Sequence, residues 1–298
     1  MKGSKIRAKK EKGIEGLFFI IALACILVLA AITAFLFKEG LPVFQEVSPK
    51  EFFLGRYWYP TSEPPEFGIF PLIVASLAVT LLSSSISVPL GLLTALYLAE
   101  CAPPGLRQVV KPVVELLAAL PSVVVGFFGM VVAPFLQEAF DIATGLNLFN
   151  ASLMLAFMSL PTICSISEDA IFIVPVELKE ASLALGATHF ETIVRVILPA
   201  SLSGISTAVI LGMSRAIGET MVVLMVAGGA ALIPESLFDP VRPMPASIAA
   251  EMGEAPYRSE HYHALFAIGV ALFLFTLIFN LTAHYISRRY RQVGAATL

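Results

Sequence analysis

Apolar residues along the chain gather into six long runs separated by polar stretches, at roughly residues 16–37, 68–99, 113–137, 151–174, 201–233 and 264–286. Each run is long enough to cross about 30 Å of hydrocarbon as a helix rising about 1.5 Å per residue. The pattern predicts an all-α polytopic membrane bundle. Residues 68–99 and 201–233 exceed what a bilayer needs, so both are expected to tilt, kink or project from it. Pro89 is a candidate kink in the second run. Pro161 interrupts the fourth, and Glu168 and Asp169 are expected to mark its polar exit.

Composition strengthens this reading. Hydrophobic residues make up 57% of the chain and charged residues 14%, against about 25% charged in an ordinary soluble domain, and the mean hydropathy is +0.86. That excess of apolar surface calls for lipid. The net charge of −3 supplies no basic field for nucleic acid.

The placement of charge carries more information than its sum. Lys and Arg crowd residues 2–12, recur at Arg107 and Lys111, and return at Arg288, Arg289 and Arg291, whereas the loops 38–67, 138–150 and 234–263 are more acidic than basic. Basic flanks stay on the cytoplasmic side, so both termini are expected inside. The basic head and first apolar run look like a signal peptide, but the run exceeds the usual h-region of about 7–15 residues, and an uncleaved first span is expected. The organisation is then a basic inner segment at 1–15, a first span and outer loop at 16–67, a helical core at 68–287 with a long inner loop at 175–199, and an inner tail at 288–298.

Cys25, Cys101 and Cys164 show no metal-ligand spacing and read as small packing residues. His261 and His263 form a weak metal signal. Tyr57, Trp58 and Tyr59 suit an outer interfacial belt, with loop packing as the alternative.

Residues 175–199 read as helix, glycine, helix. Residues 180–185 are good helix formers, Gly186 suits a positive φ that ends a helix, and a second short helix is expected from about Phe190. Pro199 then opens the next span. Such an elbow can pass rigid-body motion of a partner into the spans; an ordinary surface hairpin is the alternative. The chain contains no GxxxxGK[ST] and no Gly-Lys dipeptide, so nucleotide phosphate is expected to be held by another chain.

The fifth run places Arg215 near mid-membrane, with Glu219 one turn on and Ser214 and Thr220 beside them. A central arginine costs about 2.5–3.5 kcal/mol on insertion, so it is expected to face a bundle interior or a wet cavity. Its fork suits the oxygens of an oxyanion. Arg215 is therefore a candidate contact for an anion in transit and Glu219 a candidate gate, the alternative being a structural ion pair between the two.

The spacing Glu180-Ala181-Ser182, Gly186, Val196, Leu198-Pro199 resembles the EAA loop of ABC importer permeases, with Ser for the second Ala and Val for Ile. Over nearly the whole chain the sequence resembles the PstC-type phosphate permeases, the binding-protein-dependent inner-membrane components. The residues that carry this are Phe53-Leu54, Trp58, Pro60, the stretch from Gly68 to Leu72, the stretch from Glu115 to Gly129, and Arg215-Ala216-Ile217-Gly218-Glu219-Thr220. Ala119-Leu120 stands where that family usually has Gly-Ile, and Val125 where it often has Tyr.

The resemblance implies a type I, MetI-like permease fold in the cytoplasmic membrane, transporting inorganic phosphate by alternating access. It implies that Glu180, Ala181, Ser182, Leu183, Gly186 and Ala187 meet a cytoplasmic ATPase, and that Glu115 and Ser122 are candidates to join Arg215 along the path, the alternative for Glu115 being a place at the inner membrane face. It also implies a PstA-like second permease, two ATPase subunits that hold ATP and Mg, and an extracytoplasmic phosphate-binding protein, with no cofactor in this chain. Rival readings are a permease for molybdate or sulfate, an ATPase-independent channel, and an intramembrane enzyme. The last lacks any HExxH or GxSxG constellation.

Overall fold

The first apolar run lies inside α1 (Lys2–Gly40), whose 39 residues extend for about 58 Å, so its basic end projects past any hydrocarbon layer. The computed structural model describes the backbone of residues 2–289 and the side chains of residues 13–285. The basic side chains of residues 2–12 and of Arg288, Arg289 and Arg291, on which the expected orientation rests, lie outside that description.

After a 3-10 turn at Leu41–Gln45, α2 (Pro49–Leu54) is capped by Ser48, whose hydroxyl accepts from the Glu51 N–H at 3.2 Å. A hairpin of β1 (Trp58–Tyr59) and β2 (Glu66–Phe67) follows, with Trp58 opposite Phe67. Helix α3 (Phe70–Leu96) runs unbroken past Pro89 and closes in a π turn at Tyr97–Cys101.

The run at 113–137 is not one span. It divides into α4 (Pro104–Ala118) and α5 (Ser122–Phe140), because Pro121 supplies no N–H and takes an extended ψ of 136° just before the second helix. The third span is α5. Helix α4 instead turns one face, Arg107, Lys111 and Val114, toward the next span, and Val114 is its one buried residue.

Helix α6 (Leu148–Phe172) passes Pro161 without a break and is the most buried of the spans. Glu168 is not a polar exit: it is 1% exposed and paired with Arg107 and Lys111. The loop at 175–199 forms α7 (Val176–Ala184), α8 (His189–Thr192) and a π turn at Ile193–Ile197, leading directly into α9 (Leu198–Ile217). The run at 201–233 also ends early. Gly218–Thr220 breaks it, and Val222, Val223 and Val226 of the separate α10 (Met221–Val226) enter the core. Then come α11 (Met244–Glu251) and α12 (Glu260–Arg289). Among the described residues, six helices are long and apolar enough to cross a membrane.

Helix α6 packs between α3 and α9. The α3 face is built from small buried residues, Ser76, Thr80, Ser83, Ser87, Gly91 and Ala95, which let the backbones approach closely. Ile163, fully buried on α6, fills notches on both neighbours: a Cβ on Gly91 would lie 2.9 Å from it, and one on Gly212 2.5 Å. Helix α5 receives α10 similarly, since a Cβ on Gly126 would meet Met225 Sδ at 2.6 Å and one on Gly129 would meet Val226 at 2.7 Å. Helix α1 rests on α12 through an edge-on Phe35–Phe266 pair at 5.7 Å. The cysteines divide. Cys164 is a packed core residue, while Cys25 and Cys101 are exposed on the subunit, contrary to the packing role expected for all three.

Candidate functional site

Two polar assemblies stand out on this apolar frame. The first is the hairpin of α7 and α8. Helix α7 buries none of its residues, and Leu185 and Phe190 beyond it are 90% and 73% exposed. Gly186 adopts a φ of +86°, as the elbow requires, and its Cβ position is open space. Helix α8 starts in a capping box: the Thr188 hydroxyl accepts from the Glu191 N–H at 3.2 Å, and the Glu191 carboxylate accepts from the Thr188 N–H at 2.9 Å. The Ser182 and Thr192 hydroxyls, 2.9 Å apart, close the hairpin. Of the six residues expected to meet a partner, Glu180, Ala181, Leu183 and Gly186 are exposed, and Ser182 and Ala187 are half-buried.

The second assembly lies in the last turn of α9. A Cβ on Gly212 would abut Ile163, near the middle of α6, so Arg215, three residues on, sits about 4.5 Å further along the axis. Arg215 and Glu219 are both half-buried. They do not form the ion pair that the spacing allows: among the described residues Arg215 has no carboxylate within pairing distance. The break at Gly218 takes Glu219 off the helical register that would have stacked it on Arg215.

The hydroxyls beside them are engaged. Ser214 Oγ donates to Asn280 Oδ1 on α12 at 2.6 Å, and Thr220 Oγ1 makes a long 3.4 Å contact to the Gly218 carbonyl. Asn280 escaped the sequence reading, although an amide in the apolar run 264–286 is the signal that finds it. Glu115 is exposed on α4 and Ser122 half-buried at the start of α5, and among the described residues neither hydrogen-bonds to Arg215 or Glu219.

Between the β1–β2 hairpin and α12, Glu251 gathers three donors. Trp58 Nε1 donates at 3.0 Å, Arg242 at 2.5 Å, and His261 Nε2 lies at 2.8 Å. Trp58 is 2% exposed, so it is a loop-packing residue and not part of an interfacial belt; Tyr57 and Tyr59 remain outside. His263 is spent separately, its Nδ1 lying 2.7 Å from the Glu39 carbonyl. The two histidines therefore do not converge on a common point.

The fold and the hairpin together define a multi-pass membrane bundle with an exposed helical elbow. The profile of the binding-protein-dependent transport system inner membrane component family matches residues 87–292. The chain is 41% identical to the probable ABC transporter permease protein YqgH of Bacillus subtilis, over 93% of this chain and 91% of that one. It is 35% identical to the phosphate transport system permease protein PstC of Pasteurella multocida, over 74% of each. Among solved structures, an inward-facing MetNI methionine ABC transporter superposes with a TM-score of 0.61 at 21% identity, over 75% of this chain and 96% of that one. The chain belongs to the binding-protein-dependent inner-membrane components and is a membrane permease subunit of an ABC importer, with the MetI-type fold.

Proposed function

We propose that the chain conducts inorganic phosphate across the cytoplasmic membrane, with both termini inside. Its partners in this reading are a PstA-like second permease, two ATPase subunits that bind ATP and Mg, and an extracytoplasmic phosphate-binding protein; the chain itself carries no cofactor. The observation that carries the reading is Arg215: a guanidinium in the last turn of α9, close to the level of the middle of α6, half-buried and without a carboxylate partner among the described residues. Such a charge is tolerated where water or an anion meets it, and its planar fork matches two oxygens of a tetrahedral oxyanion. The PstC relatives favour phosphate among such anions.

In this reading Arg215 contacts the anion, Glu219 gates it by repulsion from the adjoining break, and Ser214, Thr220, Ser122 and Glu115 line the path. The uncovered hairpin around Glu180, Ala181, Ser182, Leu183, Gly186 and Ala187 receives the ATPase. The test is labelled-phosphate uptake in proteoliposomes holding the whole importer, competed by arsenate, sulfate and molybdate. Competition by arsenate alone is expected, whereas uptake of sulfate or molybdate in preference would overturn phosphate as the cargo. Arg215→Lys keeps the charge and loses the fork, so uptake should fall at least about tenfold, the equivalent of ~1.4 kcal/mol. Unimpaired uptake would remove Arg215 from the path.

A further inference from the structure

Because α7 buries no residue of its own, apolar packing does not hold it to the bundle. Its attachments are specific. The backbone ties it at one end to α6 through residues 173–175 and at the other, through Gly186 and α8, to the π turn Ile193–Ile197 and so to α9, with the Ser182–Thr192 contact closing that second arm. Its link to α3 is an ion pair from Lys179 to Glu100, whose carboxylate is 6% exposed. Glu100 lies in the π turn Tyr97–Cys101 that closes α3, where the Ala102 N–H reaches back to the Tyr97 carbonyl at 2.8 Å.

The arm to α9 and the ion pair thus end in the two π turns of the described residues. A π turn is a local widening of the helical ladder and concentrates at functional sites. The spans beyond these turns, α3 and α9, are the two that flank α6, with Gly91 and Gly212 facing the same Ile163 side chain. A push on α7 transmitted through the backbone alone reaches α6 and α9 but has no direct line to α3. Transmitted through the ion pair as well, it moves the flanking helices together.

We propose that Lys179 is a positioning residue of the coupling step: the Lys179–Glu100 ion pair is a second linkage through which α7 drives α3, in concert with α9, about the paired π turns. The inference rests on the reading of α7 as the helix that meets the ATPase. A mere anchor would make uptake and ATP hydrolysis fall together. A linkage makes their ratio fall.

The experiment uses the complete importer in proteoliposomes, with uptake and ATP hydrolysis measured side by side in Lys179→Met, in the near-isosteric Glu100→Gln, and in the exchanged K179E/E100K chain. The expected result is hydrolysis within about twofold of wild type and phosphate carried per ATP reduced about tenfold in Lys179→Met, a ~1.4 kcal/mol loss. Glu100→Gln should fall between, and the exchanged pair should recover most of the ratio. A wild-type ratio in Lys179→Met, whether both activities are unchanged or both fall in parallel, would overturn the linkage. Cross-linking of a Leu185→Cys chain to the ATPase separates the two readings. Without an adduct the coupling role of α7 fails and the linkage with it, whereas an adduct accompanied by an unchanged ratio removes the linkage alone.

Discussion

Arg107 on α4 donates through both Nε and a terminal nitrogen to one carboxylate oxygen of Glu168 on α6, at 2.9 and 2.6 Å. Lys111, one turn further along α4, lies 2.7 Å from the other oxygen and 2.9 Å from Asp169. The Arg107 guanidinium also covers the Phe172 ring at 4.2 Å. Two cations on one face of a surface helix therefore neutralise a carboxylate that the span buries almost completely. Because Val114 is the one buried residue of α4, the docking of this helix depends on that charge cluster more than on apolar area.

Removing one member of a buried pair leaves an uncompensated charge, at a cost of about 3–5 kcal/mol. Arg107→Met should lie near the lower end, about 3 kcal/mol, because Lys111 remains. Adding Glu168→Gln to that chain should recover part of the loss. Thermal unfolding in lipid nanodiscs measures both, and an Arg107→Met chain as stable as wild type would show that the cluster does not hold α4.

Lys111 is held protonated above its ordinary 10.5, first by its hydrogen bond to Glu168 and also by the one to Asp169, against the opposing effect of partial burial. A raised folded pKa contributes stability that is complete below 10.5 and lost as pH climbs through the folded value. The stability gap between wild type and Lys111→Met should stay level from neutral pH to that point and shrink above it. Amine acylation followed by mass spectrometry offers a second reading: Lys111 should label more slowly than exposed lysines, and faster in Glu168→Gln. Equal labelling in the two chains would contradict the assignment.

At Gly212 the Cβ of an alanine would come within 2.5 Å of Ile163 Cγ1 and 2.7 Å of its Cδ1. Overpacking of that kind costs about 1–3 kcal/mol. Gly212→Ala should therefore destabilise the bundle, and Ile163→Ala in the same chain should cost less than the two single changes summed. Strict additivity in a double-mutant cycle would mean that α6 and α9 separate easily at this level.

These contacts explain which features the sequence carries openly. The six apolar runs are legible because lipid demands length and hydropathy, and the inner elbow is legible because Gly186, Thr188 and Glu191 write its turn and cap locally. The division of residues 113–137 is hidden because Ala119 and Leu120 are as apolar as the helices on either side. The early end of the fifth span is hidden for a related reason: Val222, Val223 and Val226 are apolar because they enter the protein core, not because they meet lipid. Glu168 looked like a polar exit because its partners, Arg107 and Lys111, lie some sixty residues away, a separation that no local pattern spans. The same distance conceals Lys179–Glu100 and Ser214–Asn280.

Gly186 isolates the conformational cost of the elbow. Its φ is +86° and nothing lies within 4 Å of the Cβ position, so an alanine there meets no clash and suffers only from the left-handed backbone, by about 1–2 kcal/mol. Asparagine tolerates that region better than alanine. The order expected for the hairpin is therefore Gly, then Asn, then Ala, and it should appear in amide exchange of residues 176–192 with little change in the spans. Uptake by the assembled importer should follow the same order if the elbow transmits motion, because a hairpin that samples other geometries delivers less of each stroke. Equal uptake by all three chains, with exchange rates still ordered, would show that the angle at Gly186 is a folding feature without mechanical consequence.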